Sequence, residues 1–485
     1  MFAAVKFVHW YNRTNGKTLE SGCNSRETEQ GVSMIHWSGI ILAAGEGVRM
    51  KSRTPKVLHT VCGKEMIRYP VELLQQLGVS RIVVVVSAST GPAIHELLGD
   101  SVEYVTQPRV LGTGDAVGRA VELLGEDVEH ILVQNADVPL VKFDSMQRLV
   151  DCHSSQAHQM TILTVNGILA NDLGRVIRDD LGQVVDIVEA SDWQGPADAL
   201  AEVNVGIYCF QTRWLKDSLN RIEPSPKGEK YLTSLVAIAN GGGDSIQGLA
   251  ACDPTEMLGV NNRVQLAEVE SVQRQRILEN LMLSGVTIQD PASVYIDAAV
   301  VIGQDSFILP NTVLVGRTTI GENCVIGPNS TISDSSVGDR CRVTASMLEE
   351  AVMESDVEIG PFSHLRPGAH LESGVHLGNF VEVKNSRIGA GSACGHFSYL
   401  GDASIGVRVN IGAGTITCNY DGKDKLTTVI GAGAFIGCDT MLVAPVFVGA
   451  DAVTGAGSVV IKDIPEGRLA VGVPARILDK TPGKS

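Results

Sequence analysis

No apolar run in the chain approaches the roughly 18 residues that a membrane helix needs, so no membrane span is expected. CxxC pairs are missing as well. The ten cysteines (Cys23, Cys62, Cys152, Cys209, Cys252, Cys324, Cys341, Cys394, Cys418 and Cys438) are scattered and read as reduced thiols of a cytosolic protein, not as a disulfide framework. Positive charge is in deficit. A formal net charge of -16 argues against nucleic acid or an anionic membrane as a partner. Any phosphate site must therefore be local, built from a few Lys, Arg and backbone amides. The first glycine-rich loop follows neither GxGxxG nor GxxxxGK[ST], which disfavours a dinucleotide-binding Rossmann site and a Walker ATPase.

What the chain does have is a six-residue repeat. Between residues 386 and 461 an aliphatic residue followed by Gly recurs at Ile388-Gly389, Leu400-Gly401, Ile405-Gly406, Ile411-Gly412, Ile430-Gly431, Ile436-Gly437 and Val448-Gly449. Earlier copies include Ile302-Gly303, Ile320-Gly321, Ile359-Gly360 and Leu377-Gly378. This spacing fits short strands that each bury one aliphatic side chain, with Gly, Asn or Asp at corners that need positive φ. Three such sides make one coil of a parallel β-helix. A single coil cannot bury its own core, so the repeats must stack, at about 18 residues per coil and roughly nine or ten coils over 286–463. Residues 415–428, TITCNYDGKDKLTT, break the period and read as an external loop.

Upstream, strands alternate with helices. Expected strands are 39–44, 81–87, 102–107, 130–136, 160–165 and 203–210, with amphipathic helices at 67–77, 114–124 and 143–153. That alternation predicts a doubly wound, Rossmann-like α/β domain over 38–256. Residues 1–37 have no lasting period and read as a disordered extension, with Met34 as the expected initiator. A helix is expected from 253 to 285, its stripe formed by Val264, Ala267, Val272, Leu278 and Leu281 and its stop by Gly285. It defines a linker, 257–285, between the two domains. Residues 464–485 are left as a tail.

The first loop carries the most chemistry. Leu42-Ala43-Ala44-Gly45-Glu46-Gly47-Val48-Arg49-Met50 follows a strand and precedes Pro55-Lys56. Small residues let backbone N–H groups approach phosphates, while Arg49 and Lys56 supply charge where a leaving pyrophosphate would develop it.

Together these motifs resemble the sugar-phosphate nucleotidylyltransferases, whose signature is LAAGxGTRM followed by PK. Further matches are Gln107 with Leu111-Gly112-Thr113-Gly114, Ala136-Asp137-Val138-Pro139-Leu140, Gly174-Arg175, Ile187-Val188-Glu189, Asn204-Val205-Gly206 and Gly259-Val260-Asn261-Asn262-Arg263. With the hexapeptide tail, the chain resembles the bifunctional N-acetylglucosamine-1-phosphate uridylyltransferase/glucosamine-1-phosphate N-acetyltransferases of bacteria over roughly residues 38–470. The resemblance implies UTP, acetyl-CoA and glucosamine-1-phosphate as substrates, Mg²⁺ held by Asp137 and Asn261, a left-handed trimeric β-helix and a role in envelope synthesis. Leu42, Ala43, Ala44, Gly45 and Lys56 would hold the nucleotide's phosphates. Gln107, Gly112 and Thr113 would face uracil, and Gly174, Glu189 and Asn204 the sugar. In the second domain His396 would be the general base, since an imidazole can take a proton from an attacking amine near neutral pH. Arg366, Lys384, Tyr399 and Asn410 would bind the acetyl acceptor, while Ala413, Asn419, Tyr420, Cys438 and Ala456 would line an acetyl-CoA channel between subunits.

Four positions depart from the pattern: Val48 stands for Thr, Ala136 for Gly, Asp115 for His and Cys438 for Ser. The C-terminal VGVPAR also differs, leaving Arg468 and Arg476 as candidates for a CoA phosphate contact. Two other assignments compete. One is a single-function nucleotidylyltransferase whose β-helix is structural or regulatory; the set His396, Tyr399, Asn410, Asn419 and Tyr420 disfavours it. The other is a non-enzymatic interaction protein of the same two folds, which an intact Arg49, Lys56 and Asp137 disfavour.

Overall fold

The computed structural model describes residues 36–156, 158–169, 173–190, 192–196, 200–226 and 228–478; Met34 and most of the extension lie outside them. Trp37 is buried and opens the first strand, so the fold begins inside the segment assigned to the extension.

The N-terminal domain is a three-layer α/β unit. Its strands are β1 (Trp37–Leu42), β2 (Arg81–Ser87), β3 (Glu103–Gln107), β4 (His130–Asn135), β5 (Met160–Leu169), β6 (Arg175–Arg178), β7 (Val184–Val188), β8 (Leu200–Gln211) and β9 (Ile246–Ala250). Helices α1 (Arg68–Gln76), α2 (Gly91–Leu98), α3 (Thr113–Leu123), α4 (Phe143–Ser155), α5 (Thr212–Leu219) and α6 (Ser234–Gly242) cover them. The main sheet runs β9-β5-β8-β4-β1-β2-β3, with β6 attached to β8 and β7 to β6. Chain order reverses at β1, which pairs in parallel with β2 on one side and β4 on the other. A crevice opens at the carboxyl ends of strands that diverge in this way. Leu42 and Asn135 are register partners at that edge.

The linker departs from expectation. Pro254–Met257 forms a separate 3-10 turn, closed by a capping box between Asp253 and Glu256. Only at Asn262 does the long helix α7 (Arg263–Leu283) begin, because the Asn262 side chain accepts from the backbone N–H groups of Val264 and Gln265. The expected stripe fails as well, since Val264 is 78% exposed. Different turns of α7 serve different partners. Val269 packs with Met50, Val61, Met66 and Val260 of the first domain, whereas Leu278 joins the β-helix core. A helix held between two bodies needs no single apolar face.

The remainder is a parallel β-helix. Two of its faces form one continuous path of twenty strands and the third carries nine rungs. Each rung points one side chain inward, and Ile308, Ile326, Val343, Ile359, Leu377, Cys394, Ile411 and Ile436 stack in one such column. Gly after the aliphatic residue serves close approach more than positive φ. At Gly406 and Gly412 a Cβ would lie 2.6 Å from Ala432 N and 2.5 Å from Cys438 N of the next coil. Positive φ falls instead on corner residues such as Asp305, Asn311, Asn323 and Asn329.

Two boundaries shift. Ile416–Cys418 is a rung, so the external excursion is confined to about Asn419–Thr427. The β-helix also continues beyond 463. Ile464 and Ala470 are buried in its core, and Leu469–Gly472 with Ala475–Leu478 form a closing hairpin.

Candidate active sites

The crevice beside β1 is a cavity of about 300 Å³ lined by Leu42, Ala43, Ala44, Gly45, Lys56, Gln107, Gly112, Thr113 and Asp137. These residues come from five separate stretches of sequence. The loop after β1 is pinned by Ala43 N–H donating to Val85 O, and Ala136 N–H donates to Leu42 O from the neighbouring strand end. Gly47 has φ of 62°, and a Cβ there would lie 2.6 Å from Lys56 Cβ. The loop can therefore close over Lys56 only with glycine at this position.

Lys56 organises the cavity's charge. Its ammonium donates to Asp137 Oδ2 at 2.5 Å and to Asn261 Oδ1 at 3.3 Å. An amide oxygen and a carboxylate thus converge on one cation. Asn261 is placed by α7, whose Arg263 Nε donates to Met50 O at the end of the glycine loop. The linker helix accordingly helps to complete the first site.

Gln107 is buried, and its amide nitrogen is spent on Gly112 O (3.1 Å) and Asp115 Oδ2 (2.8 Å). Arg119 in turn holds Asp115. The Asp at this position thereby orients the glutamine and leaves its carbonyl oxygen as the group to aim at a base N–H. Gly112 has φ of 97° and lies against the backbone of Lys230. Thr113 does not cap its helix; its hydroxyl accepts from Leu232 N–H. Glu229 and Tyr231 also line the cavity, and sequence reasoning missed them. They lie in a segment with no period between two helices, so only its backbone bonds to Leu111 and Gly114 reveal its place.

Three residues assigned to the sugar form a group beside the cavity. Gly174 O accepts from Asn204 N–H, and the side chain of Asn204 bridges Tyr208 and Gly206. Glu189 accepts from the Thr233 hydroxyl. Burial pushes its carboxyl above the ordinary range, against the opposing effect of that hydrogen bond. Arg49 is exposed and does not line the cavity. Val48 is 77% exposed, whereas Ala136 is fully buried, so the extra methyl at Ala136 does not enter the cavity.

The second group of candidates lies on the β-helix and is built by translation along it. His396, Ala413, Cys438 and Ala456 occupy the same corner on successive coils, as the backbone bonds Gly414 N–H to Phe397 O, Asp439 N–H to Ala413 O and Gly457 N–H to Cys438 O establish. On the face beyond that corner, Glu382 pairs in register with His364 and Tyr399, and Lys384 with Gly401. Arg366 donates to Glu382 at 2.8 Å, and His364 meets Glu349 at 2.7 Å. Neither Glu382 nor His364 was singled out in the sequence, where both resemble ordinary surface residues of a repeat. Asn419 bonds Tyr399 Oη and Asp402, and Tyr420 stands exposed in the excursion, its ring under Lys425. Asn410 is the exception. It pairs with Ala393 on the opposite side of the corner, so one chain places it on a different face from Tyr399.

A profile of the family described as nucleotidyl transferase matches residues 38–246, and one described as bacterial transferase hexapeptide (six repeats) matches 299–334. A protein of Geobacillus sp. (strain WCH70) called bifunctional protein GlmU is 44% identical over 439 residues, covering 90% of this chain and 95% of its own. The chain belongs to the GlmU family. Proteins of the same name as the Geobacillus relative, from Exiguobacterium sibiricum (44% identical, 90% and 97% covered) and Caldanaerobacter subterraneus subsp. tengcongensis (45%, 89% and 94%), match over a similar length. Family membership agrees with the expected order of a Rossmann-like transferase domain and a left-handed β-helix of hexapeptide repeats. It disfavours the single-function and non-enzymatic assignments. Nine cysteines among the described residues are free thiols, and no described helix is long and apolar enough to cross a membrane.

Proposed function

We propose that the chain makes UDP-N-acetylglucosamine in two steps at two separate sites. The observation that carries this reading is that one chain holds both the Lys56–Asp137–Asn261 cluster, in a glycine-walled cavity, and the corner column headed by His396. On the β-helix, the amine of glucosamine-1-phosphate attacks the thioester carbon of acetyl-CoA. A C–N bond forms, the C–S bond breaks, and His396 takes the proton that the amine releases. Arg366 and Lys384 hold the acceptor's phosphate, and Tyr399 and Asn410 complete its site. Because Asn410 lies across the corner from Tyr399, the reading includes a homotrimer in which the acetyl-CoA channel, lined by Ala413, Asn419, Tyr420, Cys438 and Ala456, runs between neighbouring subunits.

In the first domain, a phosphate oxygen of N-acetylglucosamine-1-phosphate attacks the α-phosphorus of UTP, and the bond to pyrophosphate breaks. Backbone amides of Ala44 and Gly45 face the phosphates beside Leu42 and Ala43, and Lys56 and Arg49 balance the charge that develops on pyrophosphate. The carbonyl of Gln107, with Gly112 and Thr113, meets the uracil, while Gly174, Glu189 and Asn204 meet the sugar. Asp137 and Asn261 fit Mg²⁺, since their oxygens already converge on the Lys56 ammonium, the one cation among the described residues lining the cavity; the remaining ligands would be phosphate oxygens and water. When bound, the ion supplies Lewis-acid neutralisation of phosphate charge. Free thiols and an acidic surface fit a cytoplasmic enzyme supplying envelope synthesis.

The test is to incubate the protein with glucosamine-1-phosphate, acetyl-CoA, UTP and Mg²⁺ while recording free CoA thiol and pyrophosphate separately. Both products should appear, with pyrophosphate dependent on acetyl-CoA. Pyrophosphate from supplied N-acetylglucosamine-1-phosphate without thiol release would reduce the β-helix to a scaffold.

A further inference from the structure

The corner that carries His396 changes character along the β-helix. Its left-handed position is filled by Asn311, Asn329 and Ala345 in the early coils, then by Phe362, Phe380 and Phe397, and then by Gly414, Asp439 and Gly457. Asn, Asp and Gly adopt this conformation readily, whereas a bulky side chain is strained in it. Three consecutive phenylalanines are nevertheless held there, with φ of 62°, 57° and 47°. Core packing does not account for them, because they are 61%, 49% and 67% exposed. Instead they form a ladder on the outside of the helix, with ring centroids 5.4 Å and 5.1 Å apart.

The ladder stops at the proposed base. Phe397 directly follows His396, and beyond it the corner carries only small or short side chains: Ala413-Gly414, Cys438-Asp439 and Ala456-Gly457. His396 therefore sits at the boundary between a bare stretch of the corner and an aromatic wall.

We propose that Phe397, braced by Phe380 and Phe362, is the wall that restricts the transferred acyl group to acetyl. This rests on the reading in which the CoA thioester lies along Ala413, Cys438 and Ala456 with its carbonyl at His396. The pantetheine arm then lies along the bare stretch of the corner, and the acyl substituent, on the other side of the carbonyl, points to the ladder. An acetyl methyl ends against the Phe397 ring. A longer chain must displace that ring, which the stack beneath it and its fixed backbone oppose.

The experiment measures kcat/KM for acetyl-CoA, propionyl-CoA and butyryl-CoA by thiol release, with glucosamine-1-phosphate as acceptor and the full-length protein. Phe397→Ala should raise the propionyl-to-acetyl ratio by about tenfold or more, the discrimination one methylene commands against a packed wall. Phe380→Ala, which loosens the brace and leaves the wall, should raise it less. An unchanged ratio in Phe397→Ala, with both substrates slowed alike, overturns the proposal and leaves the ladder a structural or subunit contact. If Phe397→Ala does not fold, Phe397→Leu carries the same test: a raised ratio supports the wall and an unchanged one removes it. Wild-type protein that releases no thiol from acetyl-CoA would instead bring down the acetyl-transfer reading and this proposal with it, a result distinct from an active enzyme whose ratio does not move.

Discussion

The two halves of this chain build their sites by opposite means. In the α/β domain, Leu42, Lys56, Gln107, Asp137, Tyr231 and Asn261 are far apart in sequence and meet because a sheet reverses its strand order at β1. In the β-helix, His396, Ala413, Cys438 and Ala456 meet because each coil repeats the one below. The first kind of site is a pocket that one chain encloses. The second is a line on an outer corner, open along its length, which explains why the candidates around it lie on two faces. A folded crevice thus fixes geometry by convergence, whereas a solenoid fixes it by register.

If the two sites are independent, their losses should be too. Lys56→Ala should cut pyrophosphate release from supplied N-acetylglucosamine-1-phosphate by about 10²–10³-fold, the scale of losing one charge-stabilising group, and leave thiol release intact. His396→Ala should do the reverse, slowing thiol release by about 10²–10⁴-fold. Loss of both activities in either variant would break the comparison.

Stability should separate the halves as well. Leu365 is fully buried in the stack, so Leu365→Ala should cost about 2–5 kcal/mol by chemical denaturation, with the loss carried by the β-helix. Gly47→Ala tests the crevice. It meets Lys56 Cβ and strains a left-handed residue, so about 1–3 kcal/mol is expected, read as weaker uridylyl transfer with thiol release unchanged.

The most gradual effect is the acid sensitivity that a buried histidine gives the α/β domain. His153 is buried against Trp37 and His130 with its Nε2 unpartnered, and burial, then the nearby His130 and His158, pull its pKa down to about 3. The folded state keeps this imidazole neutral while the unfolded chain protonates it near 6.5. Stability is therefore complete above about pH 6.5 and falls as pH drops toward 3, by up to about 1.4 kcal/mol per pH unit. His153→Phe should flatten that slope in urea titrations across the range. An unchanged slope would move the effect to other groups.

Much of this was legible in the sequence, and the reasons differ by region. A six-residue period announces a β-helix because every coil solves the same burial problem, and the corner column followed from resemblance at His396, Ala413, Cys438 and Ala456. The glycine loop and Lys56 were equally plain. The linker reads as one helix in the sequence because a capped turn at Asp253 and a second cap at Asn262 lie inside one polar, helix-prone run, and local hydrogen bonds decide where such a run breaks. Tyr231 and Glu382 were missed because each owes its place to tertiary register, which leaves no local signature. The hairpin after residue 463 reads as a tail in the sequence because its two strands are too short to show a period.

The central claim, two independent sites carried by the two folds of the chain, is tested most directly by mixing two crippled variants. Asp137→Ala and His396→Ala are each incubated alone and then together with glucosamine-1-phosphate, acetyl-CoA, UTP and Mg²⁺, and UDP-N-acetylglucosamine is measured. Each alone should fail, the first accumulating N-acetylglucosamine-1-phosphate and the second making none, while the mixture should restore product. A mixture as inactive as its parts would contradict the account, since it would mean that the two regions form one site.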